Sequence, residues 1–247
     1  MEHTNIAFKV HDLTVAYNSN PVLWDIDMEI PTGSLACIVG PNGAGKTTLI
    51  KTALGLIKPV TGHVHFPSLE VNTTDIAYVP QSSSVDWDFP ASVLDIVLMG
   101  RYGHLGLFKR PKENDKKIAL NALKLVGMQD YSSRQINKLS GGQKQRVFLA
   151  RALAQEAKIY FLDEPFKGVD VKTEKAIIEI LKDLKSKGKT VIVVHHNLST
   201  VKEYFDWVTL VNLRIIKNGL TSDVFTDENI QKTFGERKLF EERTLYK

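Results

Sequence analysis

Apolar and polar positions change period several times along the chain, and each change marks an element. From Val22 the apolar side chains fall on every second residue (Val22, Trp24, Ile26, Met28, Ile30), the period of a strand buried on one face. Residues 7–10 and 13–17 read as two shorter strands before it, with 18–21 as the turn. Apolar runs at Leu35–Val39, Ile159–Glu164 (ending in two carboxylates) and Thr190–Val194 read as buried strands of a parallel sheet. A period of three to four takes over at 49–54, 90–101, 112–126 and 173–187, and again through Arg146, Leu149, Ala150 and Leu153. The apolar stripes are Ile118, Ala122, Leu123, Leu125 and Val126 in one helix and Ala176, Ile177, Ile180, Leu181 and Leu184 in another. Gly127 and Gly188 stand where helices end. Residues 77–79 predict a further strand, 207–212 and 213–217 a strand pair, and the chain closes on a charged, mostly helical end. The pattern predicts an α/β fold with a mostly parallel sheet, an N-terminal antiparallel β subdomain and an inserted α-helical subdomain. The whole is read as one domain: 1–81 and 155–247 form the core with the β subdomain, and 82–154 the helical insert.

Composition narrows the class. With 247 residues, 43% of them hydrophobic, the chain can bury one large α/β core. No apolar run approaches the ~18 residues of a membrane span, and Met1 to Asn5 does not read as a secretion signal. The single cysteine, Cys37, lies in an apolar strand and cannot form an internal bridge, so a reducing, cytoplasmic setting is expected. A net charge of +4 is mild: it permits nucleic acid or an anionic membrane surface as a partner, but a solvated face with excess lysine is the better reading, and no nucleic-acid partner is expected.

The chemistry begins at Gly40-Pro41-Asn42-Gly43-Ala44-Gly45-Lys46-Thr47-Thr48, which follows a strand and opens a helix. That order is what a phosphate-binding loop requires. Glycines let the backbone turn tightly enough to aim several N–H groups into one concavity, and the helix adds its free N–H groups and positive dipole end. Lys46 would reach the terminal phosphates of a nucleotide triphosphate, and the Thr47 hydroxyl would ligate magnesium.

Downstream residues extend this site. Tyr17, before a turn, reads either as a stacking surface for adenine or as a strand-end core aromatic. Gln81 follows a strand, where its amide could ligate magnesium or orient water. Ser140 and Gln143 have the spacing of a capping box, which by itself would only start a helix. Gly141 and Gly142 between them are poor helix formers, and make better sense if a second phosphate approaches their N–H groups. Asp163 and Glu164 end a buried strand, where Asp163 can hold magnesium through water and Glu164 can orient or deprotonate an attacking water; the plain alternative is two solvated acids. His195 and His196 follow the strand 190–194, and one could contact a γ-phosphate; as neighbours on an extended strand they point to opposite faces, a poor zinc pair. His63 and His65 share a strand face and read as an ordinary exposed strand, so no cargo metal is expected to bind there.

Taken together, these motifs resemble the ATP-binding subunit of ABC transporters over nearly the whole chain. Gly40 to Thr48 looks like the Walker A loop, Gln81 the Q-loop glutamine and Leu139 to Gln143 the signature motif. Asp163 and Glu164 look like the Walker B end and catalytic glutamate, Asp170 the D-loop aspartate, His196 the switch histidine and Tyr17 the adenine-stacking aromatic. The resemblance implies ATP and Mg2+ as ligands, with Thr47, Gln81 and Asp163 around the magnesium. It also implies a homodimer closing on ATP, in which Ser140, Gly141, Gly142 and Gln143 serve the partner subunit's nucleotide. Further implied are a place on the cytoplasmic face of the membrane, docking of the helical insert on an integral membrane permease, and indirect dependence on an extracytoplasmic metal-binding protein.

Three segments resemble the manganese/zinc/iron importers in particular: Val85-Asp86-Trp87-Asp88-Phe89-Pro90, Val97 to His104, and Glu164-Pro165-Phe166-Lys167-Gly168-Val169-Asp170. Manganese is the first expectation, with zinc or iron next. Other importer cargoes, such as a siderophore or cobalamin, and a soluble ABC-type ATPase are the alternatives; the latter usually carries two nucleotide domains or long coiled coils. Lys167 replaces a residue that is typically small, and Asn197 an aspartate expected to matter only for local hydrogen bonding.

Overall fold

The computed structural model describes residues 5–18, 20–69, 73–81, 85–88, 90–105 and 109–244, with side chains up to 235. Met1 to Thr4, read above for a secretion signal, and Phe89 lie outside the described residues. In chain order the strands are β1 (Ile6–Tyr17), β2 (Asn20–Pro31), β3 (Leu35–Val39), β4 (Thr61–His65), β5 (Ile76–Val79), β6 (Ile159–Asp163), β7 (Thr190–Val194), β8 (Trp207–Asn212) and β9 (Arg214–Leu220). The helices are α1 (Lys46–Ala53), α2 (Val93–Leu98), α3 (Glu113–Leu125), α4 (Gly141–Ala154), α5 (Val171–Ser186), α6 (Val201–Tyr204), α7 (Thr221–Val224) and α8 (Asp227–Thr244). The chain divides into two compact units, one of residues 1–70 and 192–247 and the other of 71–191, with the division inside β7.

The first unit holds an antiparallel sheet, β2-β1-β4, and the strand series β7-β3-β8-β9. β3 runs parallel to β8, and β9 returns antiparallel through a turn at Leu213. Two predicted short strands are one continuous β1, bent by a bulge between Val10 and Leu13, where Asp12 adopts a left-handed φ of 47°. A second irregularity overturns the expected face of β2. Ile26, Met28 and Ile30 point inward as the alternation predicts, but Trp24 is 52% exposed and Leu23 is buried in its place. The cause is a long-range contact: the Trp24 N–H bonds to the Leu213 carbonyl at 2.8 Å, and Asp25 takes φ 55°. One bulged residue flips every side chain before it to the other face.

The second unit carries the strand series β5-β6-β7 and the helices α2 to α5. β5 and β6 pair in parallel, Ile76 against Ile159 through Val79 against Leu162. The predicted helix at 90–101 splits into α2, capped by Ser92 and Asp95, and a 3-10 turn over Met99–His104. Arg101 in that turn is buried and fully engaged: its guanidinium donates to Asp115 (3.2 Å), to Glu156 (2.7 Å) and to the Ala154 carbonyl (2.8 Å). On α5, Ile178 is buried and Ala176 is exposed, so the core stripe is rotated by about one position from the predicted one. Gly127 and Gly188 both take the left-handed φ that stops a helix.

Gly100 is a packing requirement of this unit. A Cβ there would lie 2.2 Å from the Arg151 carbonyl oxygen of α4, a backbone atom that cannot move aside alone. Gly100→Ala is therefore expected to destabilise the chain by about 1–3 kcal/mol, seen as a lower urea midpoint at unchanged m-value.

Candidate functional site

In the first unit, buried β3 delivers the chain into the 40–45 loop, and α1 starts at Lys46 with Gly45 as its cap residue. Gly43 and Gly45 take left-handed φ values of 74° and 95°. Packing sets two of the loop's glycines as firmly as any ligand could. A Cβ on Gly40 would sit 2.0 Å from the Val211 carbonyl oxygen, and one on Gly45 would sit 2.4 Å from Leu23 Cδ2. Lys46 is 6% exposed, with its ammonium curled into the loop and donating to the Gly40 and Pro41 carbonyls at 2.8 Å each. Asn42 and Gly43 form the exposed tip, while Ala44 and Thr48 are buried and Thr47 is half-buried. Tyr17 is 50% exposed at the end of β1, so it is no core aromatic.

The two histidines after β7 separate as strand alternation demands. His195 is buried, donates its backbone N–H to the Ile38 carbonyl of β3 (3.1 Å), and packs against Phe205 with ring centroids 5.2 Å apart. Its Nε2 lies 2.8 Å from the Thr200 hydroxyl. Burial pushes its pKa down to about 4, with neighbouring His196 adding to the shift and the Asn197 backbone opposing it. His196 faces outward and is exposed. Asn197 caps the next turn, its Oδ1 accepting from the Ser199 N–H (3.1 Å) and hydroxyl (2.7 Å).

In the second unit, Asp163 ends β6 with no exposed surface at all. Glu164 follows in a left-handed conformation, φ 52°, which is costly for a residue with a side chain and typical of functional sites. Gln81 Nε2 donates to Glu164 Oε2, and Lys167 Nζ lies 3.1 Å from the same oxygen. Lys167 went unrecognised in the sequence, although a basic residue three places after a strand-end acid is the available signal. Asp170 caps α5, accepting from the Thr173 N–H at 3.0 Å and the Thr173 hydroxyl at 2.8 Å. The Thr173 N–H holds the Asp170 carboxyl below the usual aspartate range.

The capping box at α4 is real. Gln143 N–H donates to Ser140 Oγ (3.3 Å), and Gln143 Oε1 accepts from the Ser140 N–H (2.9 Å). The two glycines between them differ. A Cβ on Gly142 would come 3.3 Å from the Gly168 carbonyl oxygen, a tight fit, whereas one on Gly141 would meet nothing within 4 Å. Nor does Gly141 have a left-handed φ. Nothing within the described residues requires glycine at 141.

The donor set fits the expected ligands. A buried ammonium in a glycine-rich turn suits a phosphate. Thr47 hydroxyl, Gln81 amide and Asp163 carboxylate offer only hard oxygen atoms, the preference of magnesium. A pH effect follows from His195. Unfolded, its ring titrates near 6.5; folded, near 4, so the unfolded chain takes up the proton first as pH falls. Its contribution to stability is full above about 6.5 and is lost progressively down to about 4, for a total of about 3 kcal/mol. Urea unfolding across that window is expected to give a flatter pH dependence for His195→Asn than for the wild type.

The sequence matches the family described as ABC transporter over residues 23–167. It is 58% identical to the manganese transport system ATP-binding protein of Bacillus subtilis, over 94% of each chain. It is 52% identical to the zinc transport system ATP-binding protein of Treponema pallidum, covering 95% of this chain and 89% of that one. Among solved structures, a metal-chelate-type ABC transporter in an inward-facing conformation superposes with a TM-score of 0.81 at 32% identity, covering 93% of this chain and 88% of that one. An α/β fold with a strand–glycine loop–helix, a strand-end acid pair and a glycine-bearing capping box thus has its place: the chain belongs to the ABC transporter family, as an ATP-hydrolysing subunit.

Proposed function

We propose that this chain powers uptake of a divalent transition-metal ion through a partner membrane permease, with manganese as the first cargo and zinc or iron next. The observation that carries the ATPase is Glu164, held at the end of β6 in a left-handed conformation with Gln81 and Lys167 on its carboxylate. Support for the cargo comes from the relative at 58% identity that serves manganese transport. The metal-chelate-type structure supports a chelated cargo instead, at the lower identity of 32%.

In this reading Lys46 and the N–H groups of Gly40 to Thr48 bind the phosphates of ATP, and Tyr17 stacks on adenine. Glu164 takes the proton of the attacking water, with Gln81 and Lys167 fixing the direction of its carboxylate. His196 and Gln81 respond to the γ-phosphate. Thr47, Gln81 and Asp163 would hold magnesium, whose charge offsets that developing on the phosphate oxygens. Two copies pair head to tail, so that Ser140, Gly141, Gly142 and Gln143 complete the nucleotide site of the partner, with Asp170 at the contact. Residues 82–154 act as the helical subdomain that docks on the permease. In support, Trp87 stacks edge-on against Phe148 of α4 at 4.9 Å, with the Lys144 ammonium 5.0 Å from its ring, so residues 85–88 are tied to the helix that begins at the signature. In this reading the chain sits peripherally on the cytoplasmic face of the membrane; no helix among the described residues is long and apolar enough to cross one. The metal would reach the permease from an extracytoplasmic binding protein.

Gly141 gives the sharpest test of the paired site. Alanine fits there and favours the helix, so Gly141→Ala is expected to stabilise the single subunit by about 0.4–1 kcal/mol. The same change places a methyl group where the partner's γ-phosphate would approach, and is expected to abolish ATP-driven pairing and lower turnover at least tenfold. Undiminished turnover would leave the capping box as the whole role of the motif. For the cargo, a strain lacking this chain should fail to accumulate manganese, measured by elemental analysis of washed cells. Normal levels of manganese, zinc and iron together would sink the assignment.

A further inference from the structure

The exposed face of the β2-β1-β4 sheet carries a cluster that the nucleotide chemistry does not use. β1 is the central strand, and His11 on it stands directly opposite His63 on β4. On the other side, Asp27 of β2 lies between Ile26 and Met28, the partners of Leu13 and Val10, and so faces the bulge at His11 and Asp12. His11 Nδ1 is 2.8 Å from Asp27 Oδ1, and His11 Nε2 is 3.4 Å from Asp12 Oδ2. One ligand atom from each of His11, Asp12 and Asp27 lies within 4.8 Å of the other two. The His63 ring stands edge-on to His11, with centroids 5.6 Å apart and planes at 86°.

We infer that His11, Asp12 and Asp27, with His63 closing from the neighbouring strand, form a binding site for a divalent first-row transition-metal ion. Metal–ligand bonds of about 2.1 Å put donor atoms about 3.4 Å apart in a tetrahedral site. All four side chains are exposed, so they can turn toward that spacing, with His11 ligating through one ring nitrogen and giving up its contact with the carboxylate on the other. The backbone beneath them is held in place. The Asp12 N–H donates to Asp27 Oδ1 at 3.2 Å, and Gly62 lets β4 approach so closely that a Cβ there would lie 2.2 Å from the Asp12 carbonyl oxygen. That contact keeps His63 in register with His11.

An ordinary surface ion pair needs one acid and one base. Here both nitrogens of one imidazole face carboxylates, and a second imidazole stands beside it. Two imidazoles and two carboxylates form a mixed nitrogen–oxygen set, which favours zinc, copper, nickel, cobalt or iron over magnesium and calcium, with manganese the weakest of the transition metals. The site is built within one sheet, and the inference holds whatever the transporter carries.

The test uses the full chain, nucleotide-free and stripped with chelator, in excess magnesium so that oxygen-only sites are filled. Titration with zinc by calorimetry, and with manganese by paramagnetic resonance of the free ion, is expected to give one ion per chain for each, zinc the tighter. His11→Ala and Asp27→Asn should each weaken binding about tenfold or more, and His63→Ala by a smaller factor, with thermal unfolding of the metal-free variants unchanged. Absence of one-to-one binding by the wild type would overturn the site. So would equal affinity in a folded His11→Ala/Asp27→Asn double variant.

Discussion

The glycine loop at 40–45 keeps its shape because two strands of the first unit and the turn between β8 and β9 grip it with no room to spare. Gly40 abuts the carbonyl of Val211 on β8, and Gly45 abuts Val22 and Leu23 on β2. Leu213, the turn residue between β8 and β9, completes the grip. Its N–H donates to the Ala44 carbonyl of the loop (3.2 Å), and its carbonyl accepts from Trp24 of β2 (2.8 Å). Leu213 is half exposed and left-handed, at φ 60°, so little about it in isolation would mark it as important. It nevertheless connects the loop to both sheets of the unit by backbone hydrogen bonds, which no substitution of its side chain other than proline removes outright. A loop that must present N–H groups to phosphate without reorganising benefits from being fixed in this way.

That grip also explains the principal misreading of the sequence. Strict alternation from Val22 to Ile30 predicts a single inward face, and the pattern holds only as far back as Ile26. Because Trp24 gives its N–H to Leu213, the strand must bulge at Asp25, and a partner almost two hundred residues away is invisible to local periodicity. The same holds for Arg101, which looks like a helix-end cation and is a buried hub for Asp115 and Glu156. By contrast, buried strands such as Ile159–Asp163 and Thr190–Val194 were legible throughout, since they are apolar on both faces and demand no register. The turns that end α3 and α5 were legible for a local reason, the left-handed glycine.

Glycines at the site fall into two physical kinds, and sequence cannot separate them. Gly40 and Gly45 are held to glycine by atoms of this same chain, and Gly142 is tightly but less absolutely confined. Gly141 is not, and a helix would gain from alanine at that position. A residue that costs stability where nothing nearby asks for it points outward, to something that must come close to its N–H. The capping box and the phosphate reading of Ser140 and Gln143 are therefore not rivals. The cap builds the helix start that Gly141 leaves open.

Two pairs of histidines show how far sheet geometry governs which side chains can cooperate. His195 and His196 are adjacent in sequence, and β7 sends one into a buried apolar pocket and the other into solvent. The buried ring, neutral and hydrogen-bonded to Thr200, anchors the chain so that its neighbour is presented outward. They can act in succession on one segment but cannot hold one ion between them. His11 and His63 are far apart in sequence, and antiparallel register brings them to the same face of one sheet. Read along the chain, neither pair reads as a metal site; read across the strands, the second pair comes together on one face. Proximity in a sheet is a property of register, and the bulge at Asp12 adds the carboxylates that turn a histidine pair into a set of ligands.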